Sequence, residues 1–484
     1  MKRLYYILFC LLFFCQLRGQ QATLIIIPEK ENKEISYQFS DSEHLPFYTL
    51  FQTKQAEPDG VFHISLPVQQ PVVLNLLTED RLSFRVYLTK DSHDTIRIRN
   101  NQPFFSGTNT IYNQCLQEIQ KTEEYCHSIS YSKHHELHAV DSLKEFTQIV
   151  NNKQAELITF LKGQNVSSDF IHNQSHIINC MFTHLFYKKI LNLYNNRKIT
   201  DEWLKEIKKQ LSFDFQEGAN LCYSEYERML YMNTTINYFI IEKHSPQDID
   251  RDKINTFLLN EYKKKRTGKY LEYAWASLIY NDIFQRDFSE DIPSLYDQFC
   301  SEFPQSEFIG ILSPEIEKIR QFHHIPETSN NITILPTDTI LKNLEEAVHP
   351  FIGKIVYIDL WGTWCGPCQK MFAYSKALKN ATKGMDIIYL YISLDRPENR
   401  DKWKKMVYYY KLEGYHLQAG ITLAKSLYAS LGNKGMLAIP QFIIIGKDGK
   451  IAIEKAAAPD NLEKVVEQLK QVTSVPLKSG RVIN

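Results

Sequence analysis

The sequence predicts a multidomain chain that changes class twice: a small all-β module, a central all-α region and a C-terminal α/β domain. Three observations lead there. Short apolar or alternating runs broken by turn residues fill 22–106. Apolar residues at helical spacing then dominate 108–325, where Pro and Gly become scarce. Over 332–475, continuous apolar runs alternate with amphipathic stretches. The length of 484 residues agrees, since roughly 150 residues per domain suggests about three.

Residues 1–20 are a separate material. Lys2 and Arg3 precede an apolar run from Leu4 to Phe14, and Arg18, Gly19 and Gln20 follow. A basic start, a short apolar stretch and a small residue near the end are the pattern of a cleavable secretory signal. The run falls short of the roughly 20 apolar residues that span a bilayer. An uncleaved anchor and a lipoprotein acylated on Cys15 are the alternatives, and bulky Phe14 before that cysteine argues against the second. No later segment reads as transmembrane. The expectation is export to the periplasm or another extracytoplasmic envelope compartment.

In the β module, strands are expected at Thr23–Ile27, Ile35–Phe39, Val61–Leu66, Val72–Leu77, Phe84–Leu88 and Thr95–Ile98. Turn material such as Pro58-Asp59-Gly60 and Lys90-Asp91-Ser92 separates them, which suggests a small sandwich or barrel. In the α region, helices are expected at Asn109–Ser128, Leu137–Leu161, Ser168–Asn195, Thr200–Leu211, Ser224–Glu242, Lys253–Lys264 and Tyr270–Phe284. Pro304, Pro314 and the stretch 326–331 mark the boundary to the last domain.

There, Ile355–Leu360, Ile387–Ser393 and Phe442–Ile445 are continuous apolar runs, as strands buried on both faces should be. Gln369–Asn380, Arg400–Tyr409 and Leu462–Leu469 are the expected helices, with Asp460 as N-cap of the last. Lys447-Asp448-Gly449-Lys450 is a hairpin turn.

Composition excludes some functions. Lys plus Arg equals Asp plus Glu at 56 each, so no overall field favours nucleic acid. Nine cysteines include Cys10 and Cys15 in the leader and scattered Cys115, Cys126, Cys180, Cys222 and Cys300. That is not the dense, even spacing of a disulfide scaffold. Cys115 and Cys126 would lie roughly 16 Å apart along one helix, so these five are expected mostly as buried thiols.

The remaining pair carries the chemistry. Trp361-Gly362-Thr363-Trp364-Cys365-Gly366-Pro367-Cys368 follows a buried strand and opens a helix. Two sulfurs at that spacing close a small ring, and free N–H groups at a helix start favour a thiolate. The first cysteine is expected to face solvent and attack; the second lies behind it and resolves the mixed disulfide. Half a zinc site is the rival reading, but zinc needs a second pair of ligands, and no second Cys-x-x-Cys exists. His134 and His138 could share a metal and read instead as a solvated helix face. Lys263-Lys264-Lys265-Arg266 reads as an exposed helix end. No cofactor and no metal are expected.

Residues 350–472 resemble the thioredoxin superfamily, and within it the envelope TlpA/ResA-like thiol–disulfide oxidoreductases. The matching pieces are Gly353-Lys354, the run from Asp359 through Cys368, and Ile439-Pro440-Gln441-Phe442 with the strand and turn after it. The β-then-α layout upstream, with Phe105-Ser106-Gly107-Thr108-Asn109, is similar to longer bacterial members. The resemblance implies a thioredoxin fold, Cys365 as nucleophile and Cys368 as resolving thiol. It also implies a cis-proline at Pro440, which sets the Ile439 backbone beside the sulfurs to receive an extended substrate. Asp359 matches the buried acid that accepts the proton of the resolving cysteine. Trp364, Gly366 and Pro367 would flank the substrate.

Two departures stand out. Gln369-Lys370-Met371-Phe372-Ala373 has neither the acidic residue nor the proline that the subfamily often carries after its second cysteine. Tyr391 falls where thioredoxins often have a lysine near the buried acid. The expected activity is thiol–disulfide exchange with extracytoplasmic protein cysteines. Cys-Gly-Pro-Cys resembles reducing thioredoxins, so the reductase direction is favoured, with electrons from a membrane partner. The rival from another class is a non-catalytic binding protein that uses the fold as a platform. A peroxidase on the same fold lacks its upstream cysteine pattern.

Overall fold

The computed structural model describes residues 21–40, 52–130, 143–195, 199, 201–213, 226–245, 248–250, 253–336, 341–432 and 437–474. The expected signal segment, His134, His138 and Cys222 lie outside them. The chain forms two compact units, Met1–Asn281 with Phe299–Ser306, and Asp282–Gln298 with Glu307–Asn484.

The first unit begins with eight strands: β1 Ala22–Ile27, β2 Glu34–Ser40, β3 Gln52–Gln55, β4 Phe62–Leu66, β5 Val72–Thr78, β6 Ser83–Leu88, β7 His93–Arg99 and β8 Gln102–Gly107. They make two four-stranded sheets, ordered β4-β1-β7-β8 and β3-β2-β5-β6. Burial alternates residue by residue along β1, β4 and β7, the period of a strand with one face in a core. Leu24, Ile26, Ile64 and Ile96 of one sheet and Leu74, Leu76 and Val86 of the other share one core, so the module is a sandwich. Gly107 has φ +118, and a Cβ there would sit 2.1 Å from the His93 carbonyl oxygen. Asn109 then donates its N–H and its side-chain amide to the buried Asp94 carboxylate at 2.7 and 2.8 Å. Those contacts explain the Gly-Thr-Asn of the corner physically.

Helices follow: α1 Thr110–Ser130, α2 Leu143–Lys162, α3 Ser168–Asn195, α4 Leu204–Gln210, α5 Tyr226–Thr235, α6 Ile254–Lys263 and α7 Gly268–Gln285. A π-helical turn, Ile236–Ile241, extends α5. The basic run differs from expectation. Lys263, Lys264 and Lys265 are exposed, but Arg266 is buried with its guanidinium over the Tyr262 ring at 5.3 Å, where a planar cation stacks as an ammonium cannot. Cys115, Cys126 and Cys180 are buried and Cys300 half-buried. Burial pushes the Cys115 and Cys126 thiols up to about 11.

Two more helices, α8 Ile292–Glu302 and α9 Phe308–His323, were not anticipated. Pro314 sits inside α9 rather than at a boundary. A proline there forfeits one hydrogen bond, to the carbonyl four residues back. That residue is Gly310, whose own Cβ position is open.

The second unit holds a six-stranded sheet ordered β14-β13-β10-β11-β12-β9. Its strands are β9 Ile332–Ile334, β10 Ile355–Trp361, β11 Ile387–Ser393, β12 Gly414–Gln418, β13 Gln441–Ile445 and β14 Ile451–Ile453. β10, β11, β12 and β9 pair in parallel; β13 and β14 run antiparallel. Helices α10 Leu344–Val348, α11 Gly366–Met371, α12 Ser375–Ala381, α13 Arg400–Tyr409, α14 Ile421–Leu431 and α15 Leu462–Thr473 complete it. Every residue of β10 is buried. Val356, Ile358 and Leu360 face a core shared with α14, while Ile355 and Tyr357 face one shared with α12 and α15. The cap of α15 is Asn461, whose side chain accepts the Lys464 N–H, not Asp460. Among the described residues, no helix is long and apolar enough to cross a membrane.

Candidate active site

The site grows out of the end of β10. The strand stops at Trp361 because Gly362, Thr363 and Trp364 turn the chain, and α11 starts at Gly366 with Pro367 in its first turn. A proline there has no N–H to leave unpaired. Cys365 caps the helix. Its Sγ accepts the Cys368 N–H at 3.2 Å and is bonded to Cys368 Sγ, with the two Cα atoms 5.3 Å apart.

Cys365 was expected to face solvent. Only 4% of it does, against 0% of Cys368. The reason is that Sγ is drawn over the first helical turn by the disulfide and the hydrogen bond. What access there is belongs to the first cysteine. Trp364 beside it is 54% exposed. Pro367 is exposed and Gly366 half-buried.

The Ile439–Pro440 peptide is cis. Gln441, the next residue, pairs with Leu360 of β10. Ile439, Pro440 and the cysteine loop therefore lie at the same end of the paired strands β10 and β13.

Asp359 lies on β10 in register with Tyr391 of β11 and Phe442 of β13, and Tyr391 in turn with His416 of β12. Asp359 is buried, and its Oδ1 has no hydrogen-bond partner. Desolvation pushes its carboxyl up to about 8. Tyr391 stacks on His416 with rings 4.8 Å apart. The Lys379 ammonium of α12 lies 5.5 Å from the Tyr391 ring centroid and donates to the Glu413 carbonyl. Burial lowers Lys379 to about 8. A lysine thus enters this neighbourhood from a helix rather than from the strand position that Tyr391 fills.

A second buried acid escaped the sequence reading. Asp395, two residues beyond β11, accepts the Thr363 N–H at 2.9 Å and the Thr363 hydroxyl at 2.6 Å. It also accepts the Ser393 hydroxyl at 2.6 Å. Gln369, next to Cys368, donates to the Thr363 carbonyl at 2.9 Å and accepts the Tyr410 hydroxyl at 2.9 Å. The available signal was Ser393-Leu394-Asp395, polar residues closing an apolar run just where parallel strands end. Among the described residues, no group of His, Cys, Asp and Glu is arranged to hold a metal.

Chemically, a disulfide over a helix start, on the loop that follows a strand carrying a buried carboxyl pushed up to about 8, can exchange with an incoming thiol or dithiol. Comparisons with known proteins point the same way. The family model Redoxin matches residues 326–470. Thiol-disulfide oxidoreductase ResA of Bacillus thuringiensis subsp. konkukian is 32% identical over 140 residues, 28% of this chain and 73% of that protein. ResA of Bacillus anthracis is 32% identical over 123 residues, covering 25% and 65%. The thioredoxin domain of a thiol-disulfide oxidoreductase from Bacteroides vulgatus is similar at 26% identity and a TM-score of 0.22, covering 25% of this chain and 82% of that one.

Proposed function

Because the chain belongs, through its C-terminal region, to the TlpA/ResA-like thiol–disulfide oxidoreductases of the thioredoxin superfamily, we propose that Cys365 and Cys368 exchange dithiol for disulfide with protein cysteines outside the cytoplasm, in the reducing direction. The observation that carries this reading is the Cys365–Cys368 disulfide, with Cys365 at the helix cap and the Cys368 N–H on its sulfur. A donor on that sulfur stabilises negative charge, so the reduced pair holds its thiolate on Cys365.

The thiolate of Cys365 attacks one sulfur of a substrate disulfide. The substrate S–S bond breaks, its other sulfur leaves as a thiolate and takes a proton, and a mixed disulfide forms on Cys365. Cys368 then loses its proton to the Asp359 carboxylate and attacks Cys365 Sγ. The second substrate sulfur leaves, and the Cys365–Cys368 bond closes. Two electrons pass from the pair to the substrate, so each cycle needs an external dithiol donor, which we place at the membrane. A carboxyl near pH 8 exchanges protons at little cost under working conditions. Ile439, Pro440, Trp364, Gly366 and Pro367 form the rim that receives the substrate chain. Export rests on the Lys2–Gln20 pattern.

The test is insulin reduction by the whole protein against Cys365→Ser. Turnover that the substitution abolishes supports the reading, and equal rates would favour a binding platform. Cys368→Ala, which cannot resolve its mixed disulfide, should hold the substrate covalently.

A further inference from the structure

The residue after the resolving cysteine is a glutamine, and it is not idle. Gln369 is buried to within 1% of its surface, in a place where a polar side chain must have partners. It has one on each side. Its Nε2 donates to the Thr363 carbonyl, and its Oε1 accepts the Tyr410 hydroxyl, each at 2.9 Å. The Arg286 guanidinium lies close enough to the Tyr410 hydroxyl to act on it electrostatically. At the far end, Thr363 donates its N–H and hydroxyl to Asp395. The donors all point one way, from Tyr410 through Gln369 and Thr363 to a carboxylate, with a guanidinium beside the first of them. Hydrogen bonds in such a run polarise one another.

The run encloses the redox pair. Thr363 stands two residues before Cys365 and Gln369 one after Cys368, so the bond between them closes a non-covalent ring around the disulfide. Arg286 lies outside the thioredoxin sheet, on the turn after α7. That turn is fastened to α13 by Lys402–Asp287 and Lys405–Glu290, both 3.4 Å, and by Phe288, whose ring lies 5.8 Å from Tyr409. Its base is tied by Asp282, which accepts the Ser289 N–H at 3.2 Å.

We infer that Gln369 is a positioning residue of the redox centre, held by Tyr410 and Arg286, so that the docked 286–290 turn favours closure of the Cys365–Cys368 disulfide. The inference rests on the exchange activity proposed above. A loop that holds the two sulfurs together in both redox states raises the effective concentration of one for the other. Loosening the loop lowers that concentration and makes the disulfide easier to reduce.

The experiment is redox equilibration of the full chain with glutathione, read by thiol content, for wild type, Gln369→Ala, Tyr410→Phe, Arg286→Ala and the Tyr410→Phe/Gln369→Ala pair. Each single variant should shift the equilibrium toward the dithiol by about three- to tenfold; tenfold is about 30 mV for a two-electron couple. The double variant should shift no further than Gln369→Ala, since both cut one run. Gln369→Glu keeps the acceptor for Tyr410 but cannot donate to Thr363, and should behave like Gln369→Ala. Tyr410→Phe removes a single hydroxyl at a half-buried site, so it reports even if a Gln369 variant folds poorly. Tyr410→Phe and Arg286→Ala within twofold of wild type would overturn the inference alone. A wild type that reaches no equilibrium with glutathione would overturn the exchange reading with it.

Discussion

Asp359 and Tyr391 are register partners across the parallel strands β10 and β11, and both are buried. The tyrosine brings no positive charge to the acid. Burial alone therefore raises Asp359, from 3.8 to about 8. A carboxyl raised on folding binds its proton more tightly in the folded than in the unfolded chain. Its contribution to stability is complete below about pH 4 and drains away as pH rises through 8. Asp359→Asn lacks that slope. Between pH 5 and pH 8, the unfolding free energy of the oxidised protein from urea titration should fall for wild type relative to the variant by up to ~4 kcal/mol, at about 1.4 kcal/mol per pH unit. Parallel lines for the two proteins would show that Asp359 titrates like a solvated acid.

Asp395 is the opposite kind of buried acid, with three donors on its two oxygens. Removing it strands the Thr363 N–H, the Thr363 hydroxyl and the Ser393 hydroxyl without an acceptor. Asp395→Ala should cost about 2–4 kcal/mol, the scale for leaving buried donors unmade. Amide exchange at Thr363, followed by mass spectrometry, should accelerate with it. A protected Thr363 amide in the variant would mean that the loop is held by something else.

The difference between these two acids shows what a sequence can reveal. Asp359 was visible because it stands in the run, Asp359 through Cys368, that resembles thioredoxins. Asp395 bonds to residues 32 positions away in sequence, and no local pattern announces that. Local pattern carried the long elements. Ser168–Asn195, Ile387–Ser393 and Arg400–Tyr409 emerge with the expected bounds: the first is long and free of Pro and Gly, the second is a continuous apolar run, and the third has a helical period. Two of the four edge strands of the β module were lost. Gln52–Gln55 and Gln102–Gly107 are polar or proline-bearing, as edges tend to be. Gly414–Gln418 reads Gly-Tyr-His-Leu-Gln and owes its strand state to β11 and β9 on either side. At the site, the Cys-x-x-Cys motif pointed to Cys365 and Cys368, and the thioredoxin resemblance to Asp359 and Pro440. Gln369 was noticed only for what it lacked, because its Tyr410 partner lies 41 positions away, at the end of α13.

Gly414 and Gly384 separate two costs of a side chain. Both have positive φ, +129 and +90. A Cβ on Gly414 would meet the Tyr389 carbonyl oxygen at 2.6 Å, whereas nothing lies within 4 Å of one on Gly384. Gly384→Ala should cost about 1–2 kcal/mol, for backbone conformation alone. Gly414→Ala adds a clash with backbone that cannot swing away, and should cost at least ~2 kcal/mol more. Thermal unfolding of the two variants side by side gives the difference, and equal melting temperatures would deny the close approach of β12 to β11.

Gly362 offers a way to move one rim residue without touching it. A Cβ there would lie 2.8 Å from Cε2 and Nε1 of Trp364, and no backbone atom is among its three nearest neighbours. The indole is the exposed end of a side chain, so it can yield while the strand stays in place. Gly362→Ala should therefore leave stability within about 1 kcal/mol of wild type and shift the indole away from its seat above the loop. If Trp364 guides the substrate chain to Cys365, insulin reduction by Gly362→Ala should slow several-fold and match Trp364→Ala. The change in tryptophan fluorescence between oxidised and reduced protein should shrink in the same variant, because Trp364 adjoins the cysteine that changes state. A variant with wild-type rate and wild-type fluorescence change would mean that the indole has no part in receiving the substrate.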